Sequence, residues 1–478
     1  MSKPVTKVAL ALSLSVLAAC SSTSYLDEAQ VTPELPQTWY TNAQALKENQ
    51  PWVNAIATEQ LLELASIGLN RNQQLQQLAL EVEVKKQQLN VNDANFWPEL
   101  TGSVNAARNG DNDGQSNSNS ASLNLSYELD IWGKLSDSAR AAKLNLLVAE
   151  SDYQQARDTL VADIVSAYYK VVSSQALVKL YEQRTDNAKV SFEIIESGYV
   201  QGLNTALDVY LTQNEFYSQQ SNLISQRNQL NSDIRSLERL LGGYPAAKLM
   251  VDAKLPLLPE GITVGVPSEL VKRKPSLQSA WYKLLAQDAN VAYTQKQRYP
   301  SLSLGGSFGS SGSEFANLID GDYTSWSVFA GLTSPIFNAG KLKAQTEQQK
   351  LILKQQEQQY LNTLFSAFEQ VENALDLDAS LQLQYQSTLK SQENALQAET
   401  LSFEKYQSGL ESYTTVLDAQ DRSFVAQTSV INLKNQIIAN RIQLHLALGG
   451  ELDKGISMQD SQASQAQVAV AQANGEQQ

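Results

Sequence analysis

One phrase occurs twice in this chain of 478 residues. "YVQGLNTALDVYLTQNE" begins at Tyr199 and "YQSGLESYTTVLDAQDR" at Tyr406, with an aromatic residue and a Gly-Leu pair at matching offsets. The same spacing recurs elsewhere. Gly202-Leu203 and Gly409-Leu410, "LLGG" (240–243) and "ALGG" (447–450), and "DIWGK" (130–134) and "FNAGK" (337–341) all lie 207 residues apart. Upstream, Pro98 of "FWPEL" and Pro300 of "RYPSL" are 202 apart, so five residues of slack fall between these prolines and the 130–134 motif. A long internal repeat means that each half builds the same supersecondary unit and the fold arises by pairing the two.

Both halves carry the same order of local signals. In "SASLNLSYELDI" (120–131), Ala121, Leu123, Leu125, Tyr127, Leu129 and Ile131 alternate with polar residues, the period-two pattern of a strand. "ELTGSVNA" (99–106) alternates more weakly, and "RNGDNDGQSNSNS" (108–120) reads as a polar loop. The second half offers "SLSLGGSF" (301–308), a Gly/Ser-rich loop, and "YTSWSVFAGLTSPIF" (323–337). The predicted hairpins therefore span 98–131 and 300–337, with strands long enough for a tilted membrane strand. Four strands leave open edges, which lipid does not tolerate, whereas three copies would supply twelve.

The remainder reads as helix. Between Lys134 and Tyr199 there is no proline, the only glycine is Gly198, and apolar residues recur every three or four positions. This predicts a helix over 134–199, about 100 Å long at 1.5 Å per residue, with a counterpart over 341–406. Shorter helices follow over 204–241 and 411–448, each ending at a Gly-Gly pair. Two more, 58–95 and 268–296, precede the hairpins. The apolar positions spread wider than a two-in-seven seam, so each helix should have neighbours on both sides, as in a curved wall. Residues 58–243 and 268–450 are thus the two repeats. A connector, 244–267, lies in a stretch (244–275) holding five prolines. A lead-in (20–57) and a tail rich in Gln, Ala and Ser (451–478) complete the chain.

The first residues, "MSKPVTKVALALSLSVLAAC", have a charged start and a short apolar core, as a secretory signal peptide (1–19) does. Leu17-Ala18-Ala19-Cys20 resembles the bacterial lipobox, in which the cysteine is diacylated and becomes the new N-terminus. Cys20 is the sole cysteine, so no disulfide framework or thiol metal site is available. Ser21 in place of an aspartate points to the outer membrane. The formal net charge of −14 becomes −16 once Lys3 and Lys7 leave with the signal peptide. That balance disfavours nucleic acid and anionic lipid as partners, leaving covalent lipid on Cys20 as the membrane anchor.

Taken in order, the repeat, "FWPEL" and "RYPSL", "YELDIWGK", "LTSPIFNAGK", the two Gly-Leu turns, "VLDAQ" (416–420) and "ALGG" resemble the outer-membrane factor family, the TolC- and OprM-like exit ducts, over nearly the whole mature chain. The resemblance implies an α+β membrane protein acting as a homotrimer. A twelve-stranded outer-membrane β-barrel, four strands per chain, continues into a long periplasmic α-helical barrel with an equatorial belt. It implies partnership with a periplasmic adaptor and, from the lipobox, with an inner-membrane pump of the resistance–nodulation–division type.

The resemblance also assigns roles. Gly202, Leu203, Gly409 and Leu410 mark turns that meet the adaptor. Asp208, Tyr406, Glu411, Thr414, Asp418 and Asp421 fall at the periplasmic gate. Tyr406 and Asp208 match a tyrosine and an aspartate that bond across neighbouring helices in the closed state, and Asp418 matches an aspartate of the constriction. Three such acids in a trimer would raise one another's pKa or capture cations. Glu411, Thr414 and Asp421 depart from the family pattern. More of these residues cluster at the later turn, which is therefore expected to be the one that moves.

No HExxH, Walker or GxSxG pattern is present, and His445, the lone histidine, reads as a packed or capping residue. Neither an enzyme nor a cofactor beyond the lipid is expected. The leading reading is a passive exit duct for drugs or other small toxic compounds. The alternatives are an exit duct for type I protein secretion and a coiled-coil lipoprotein adaptor without a pore.

Overall fold

The computed structural model describes residues 24–26, 31, 33, 35–41, 56, 58–111, 114–256, 258 and 266–450. The signal peptide, Cys20 and the tail lie outside the described residues, as do much of the lead-in and residues 257 and 259–265 of the connector. The repeat is visible in the order of elements. The first half runs α1 (Glu59–Arg71), α2 (Gln73–Ala94), β1 (Glu99–Asp111), β2 (Gly114–Leu129), α3 (Lys134–Val200) and α4 (Ala206–Leu240). The second runs α5 (Pro267–Arg273), α6 (Pro275–Lys296), β3 (Ser301–Gly312), β4 (Thr324–Thr333), α7 (Lys341–Gln407) and α8 (Tyr413–Ala447). The long helices α3 and α7 each have 67 residues, and α4 and α8 each have 35.

Contacts divide the chain into two units. One gathers Ala79–Asp152 and Ser276–Thr363 and contains the sheet. Its strands pair antiparallel in the order β1-β2-β3-β4. The register places Leu100, Val104, Leu123, Leu125, Tyr127, Leu302, Leu304, Phe308, Trp326, Val328 and Leu332 on one face. The opposite face carries Thr101, Ser103, Asn105, Ser122, Asn124, Ser126, Ser303, Ser307 and Ser327. Hydroxyl pairs cross it, Ser103 with Ser122 at 3.0 Å and Ser307 with Ser327 at 2.8 Å. Phe329 lies on this polar face and covers Gly305 opposite it. Among the described residues, β1 and β4 each have a neighbour on one side only.

The sequence expectation for the hairpins needs two corrections. The stretch 108–120 is not a loop, because β1 and β2 run through it to a pairing of Asp111 with Gly114. Past the apolar band both faces are polar, so the alternation disappears while the ladder continues. At the other end, β4 stops at Thr333 instead of reaching Phe337. The β3–β4 connection contains two 3-10 turns, Phe315–Leu318 and Gly321–Tyr323.

The second unit gathers Leu35–Leu78, Tyr153–Pro275 and the described residues from Leu364 onward. In its core, α3 is buried almost all round: between Leu160 and Ser174 only Asp163 and Lys170 are exposed, seven residues apart on one narrow stripe. Leu61, Leu64 and Ala65 of α1, Ile234 and Leu237 of α4, and Ile438 and Ile442 of α8 share this core with Ile164, Tyr168 and Val172. A helix with neighbours on several sides fits a wall better than a two-stranded coil. Carboxylates hold the irregular segments. Glu238 accepts the N–H groups of Ala247, Lys248 and Leu249 at 2.7, 2.7 and 3.0 Å. Burial opposes its ionisation, but these donors outweigh that and hold its pKa below the ordinary value. Glu372 accepts from the N–H groups of Tyr40 and Thr41 at 2.7 and 3.0 Å.

The helices predicted over 58–95 and 268–296 are each broken once, at Asn72 and Lys274, at equivalent positions 202 residues apart. Lys274 precedes Pro275, which biases it toward an extended conformation (φ −71°, ψ 117°). Asn72 adopts a similar one, and its side chain accepts from Leu75 N and donates to Leu240 O. Into each break fits a glycine that ends the partner helix. Gly242 has φ +74°, and a Cβ there would lie 2.3 Å from the Arg71 carbonyl oxygen. Gly449 has φ +64° and would strike Lys274 N and Cα at 3.0 Å. Each Gly-Gly motif is thus a docking point as well as a stop signal. Gly242→Ala is expected to destabilise the assembled protein by about 2–3 kcal/mol, and Gly449→Ala by less because its clash is softer. Chemical denaturation of the purified protein measures both.

Candidate functional site

The two repeated phrases build the two helix–helix turns of the second unit. Each long helix ends in the same hydrogen-bond pattern. Gly202 N donates to Tyr199 O and Leu203 N to Gly198 O, at 2.9 and 2.8 Å. Gly409 N donates to Tyr406 O and Leu410 N to Lys405 O, both at 2.9 Å. Gly202 and Gly409 have φ +76° and +71°, the left-handed conformation that this double closure requires and glycine adopts freely. Leu203 and Leu410, which follow them, are exposed.

The next helices start differently. Thr205 caps α4 in a reciprocal box: its hydroxyl accepts from Asp208 N at 3.2 Å, and the Asp208 carboxylate accepts from Thr205 N at 3.0 Å and Thr205 Oγ1 at 2.7 Å. Such a box stabilises a helix start by about 1 kcal/mol. In the second copy Thr415 stands at the position of Asp208, and Ser412 caps α8 without a side-chain bond to the backbone. Ser412 Oγ instead faces Thr414 Oγ1 at 2.6 Å, and Thr415 Oγ1 donates to Glu411 at 3.4 Å. The later turn is the more weakly capped of the two.

Besides the shared core, contacts near the turns and further along tie the hairpin of α3 and α4 to that of α7 and α8. Near the turns, Tyr413, Val416 and Ile195 form a small core with Tyr406 and Val209 packed against it. Tyr406 Oη donates to Asn204 Oδ1 at 3.3 Å, while Asn204 Nδ2 donates to Ile195 O at 3.0 Å. Asp208 is close enough to raise the Tyr406 pKa, second to burial, yet within the chain its hydrogen bonds go to its own cap. Asn204, which sequence reasoning passed over, is therefore the direct partner of Tyr406. Both causes keep that hydroxyl protonated and able to donate.

Further along lies Arg184, also missed from the sequence. Its guanidinium bonds Glu215 of α4 at 2.9 Å, Gln420 O of α8 at 2.9 Å and the Asp421 carboxylate, and stands 4.6 Å over the Phe424 ring. The Arg184 side chain is 11 % exposed, so one largely buried cation gathers three helices. Asp421, read from sequence as a departure from the family pattern, is its outermost partner. Asp418 and Arg422 form an i,i+4 pair at 2.9 Å with both side chains mostly in solvent, the kind of pair worth only a few tenths of a kcal/mol. Thus Asp208, Tyr406, Glu411, Thr414, Asp418 and Asp421 all lie on or near the two turns. Of these, Tyr406 and Asp421 bond across the hairpins through described groups.

His445 lies far along α8, where burial and then the charge of Arg273 lower its pKa to about 3. Among the described residues no group of His, Cys, Asp and Glu could hold a metal ion, and no helix is long and apolar enough to cross a membrane.

Comparison with known proteins places these features in a family. The family described as outer membrane efflux protein matches residues 64–243 and 266–450. The chain is 27 % identical over 405 residues to the probable outer membrane lipoprotein SilC of Salmonella typhimurium, covering 84 % of this chain and 87 % of that one. It is 29 % identical over 483 residues to the antibiotic efflux pump outer membrane protein ArpC of Pseudomonas putida, covering 96 % and 98 %. The crystal structure of the Campylobacter jejuni CmeC outer membrane channel superposes with a TM-score of 0.83 over 93 % of this chain and 98 % of that one, at 21 % identity, a likeness of fold.

Arg184→Met is expected to lower stability by about 2 kcal/mol, reduced from the value for a fully buried pair because Asp421 is exposed. Arg184→Lys should not restore it, since one ammonium cannot serve three acceptors in that plane. Chemical denaturation of the detergent-solubilised protein reads both. For His445 the neutral form is favoured in the folded state. Above pH 6.5 its contribution is complete. As pH falls from 6.5 toward 3 the unfolded chain gains a proton that the folded one refuses, and stability drops. His445→Gln should flatten that part of a melting-temperature profile.

Proposed function

The chain belongs to the outer membrane efflux protein family, whose members are passive channels and not enzymes, and on that premise we propose that it is the gated exit duct of a tripartite efflux system. The observation that carries this reading is the sheet. One face is apolar and the other is lined with hydroxyls and amides, and among the described residues its two edge strands each have a neighbour on one side only. A sheet in hydrocarbon must close on itself. Three copies close it with twelve strands, apolar outside and wet inside. A spacer without a pore would have no use for such strands, which argues against the adaptor alternative.

Solutes enter by the α-helical part, and an inner-membrane pump, of the resistance–nodulation–division type, drives them through a periplasmic adaptor. The exposed Leu203 and Leu410 at the two turns are the adaptor contacts. ArpC is an antibiotic efflux pump outer membrane protein, which supports small toxic compounds over polypeptides as cargo. Acylated Cys20 anchors the mature chain in the outer membrane, a reading supported by the likeness to SilC, a probable outer membrane lipoprotein.

The gate is formed at the turns by Asp418 with Asp208 and Tyr406, flanked by Glu411, Thr414 and Asp421. The weaker cap of α8 supports the later turn as the moving part. Arg184 and Asn204 hold that hairpin against its neighbour in the closed state, and Asp418 from three subunits sets a preference for cations. Purified trimers in planar bilayers test this. The expected result is a small, cation-preferring conductance that rises or loses selectivity in Asp418→Ala. No conductance in any form would exclude the duct, and unchanged conductance and selectivity in the variant would exclude Asp418 from the gate.

A further inference from the structure

Phe329 of β4 sits among hydroxyls and amides. Among the described residues of the strands it is the one aromatic side chain on the polar face, and it is 56 % exposed. The register sets it opposite Gly305, in a cross-strand row that runs Glu99, Ser126, Gly305, Phe329. Its ring lies along the sheet, for a Cβ on Gly305 would stand 2.3 Å from its Cζ, 2.7 Å from Cε1 and 2.8 Å from Cε2. Gly305 is buried beneath it. An aromatic laid over a strand glycine steadies a sheet, but this sheet has another solution at hand. One row on, Thr101, Asn124, Ser307 and Ser327 fill the same four places with hydroxyls and an amide, and Ser307 bonds Ser327 at 2.8 Å. Gly305 and Phe329 replace such a pair with an aromatic ring backed by main chain and otherwise open to solvent.

What such a ring can do follows from where it stands once the sheet is closed, so this inference rests on the reading of the sheet as the wall of a three-copy barrel with its polar face inward. Twelve strands about 4.8 Å apart and tilted by about 40° enclose a cylinder about 24 Å across. Rings laid along that wall line the passage without closing it, so they are not a constriction. They are a surface for whatever passes. An aromatic face attracts cations and stacks on other rings. Glu99, exposed in the same row and three strand spacings or about 14 Å away, adds negative charge at that level. Glu128, on the same face, is instead paired with Lys134 at 2.6 Å. We propose that Phe329, in the field of Glu99, is a lumenal binding site for solutes that join an aromatic ring to a positive charge, one site per chain.

The probe that tests this is an aryl azide carrying a trimethylammonium group. The purified full-length protein is photolabelled and digested, and the label is located by mass spectrometry. In the wild type it should fall on Phe329 and its strand neighbours. Benzyltrimethylammonium should compete for the site, with tetramethylammonium, which lacks the ring, and benzenesulfonate, which lacks the positive charge, at least about tenfold weaker. Phe329→Ser should lose at least about nine-tenths of the label and Phe329→Trp should keep it. Phe329→Leu keeps an apolar cover over Gly305 but no ring, and should lose the label as the serine variant does. Label elsewhere in the wild type, or undiminished label in the leucine variant, overturns the site. If the serine variant does not assemble, the leucine variant decides on the same criterion. Glu99→Gln should weaken labelling about threefold, and unchanged labelling removes Glu99 from the site. Conductance of the same wild-type preparation in planar bilayers separates the two readings. A conducting protein without label at Phe329 overturns this site alone, whereas absence of conductance overturns the duct and the site with it.

Discussion

A backbone N–H or C=O left unpaired in hydrocarbon costs several kcal/mol, and a four-stranded sheet has two rows of them. Everything else in this chain is compatible with that constraint. The outer edges of β1 and β4 must meet strands from other copies, and the polar face must then turn inward, since water can fill only the enclosed side. Each hairpin runs into a 67-residue helix after a few residues. The twice-written turn is where each of these long helices doubles back.

The repeat is not a perfect copy, and its slack has an address. Residues 99–129 make the first hairpin and 301–333 the second, which is two residues longer. The link to the long helix takes 130–133 in one half and 334–340 in the other, three residues longer. Those account for the shift from a spacing of 202 to one of 207. On either side of it, both spacings are held by close packing. Gly242 sits in the break at Asn72, and Gly449 in the break at Lys274. An insertion in α3 or α7 would carry one of these glycines out of its notch, whereas an insertion at a strand end is absorbed by loop.

Much of this was legible in the sequence because it is local. Helix ends, the glycines of the turns and the alternation of Leu123, Leu125 and Tyr127 follow from a few neighbouring residues. The misreadings were local signals with a distant cause. Residues 108–120 looked like a loop because serine and asparagine there carry no alternation, yet the opposite strand supplies the hydrogen bonds. The break at Asn72 left no mark because asparagine is acceptable in a helix, and what selects the extended conformation is the end of α4 packed against it. The Lys274 break was visible in Pro275, and passed over.

By itself, then, the sequence determined the two-fold repeat, the element order, the two-faced strands and the position of both turns, since periodicity and backbone preference act over a few residues. Only the tertiary structure decided which charges and hydroxyls are partners. Asp208 closes its own cap, Tyr406 reaches Asn204, and Asp421 meets Arg184 across 237 residues. A carboxylate on an exposed helix face has the same local pattern whether it faces water, a neighbouring helix or another subunit. Its partner is chosen by how helices far apart in the chain are brought together, and no spacing within either helix records that choice.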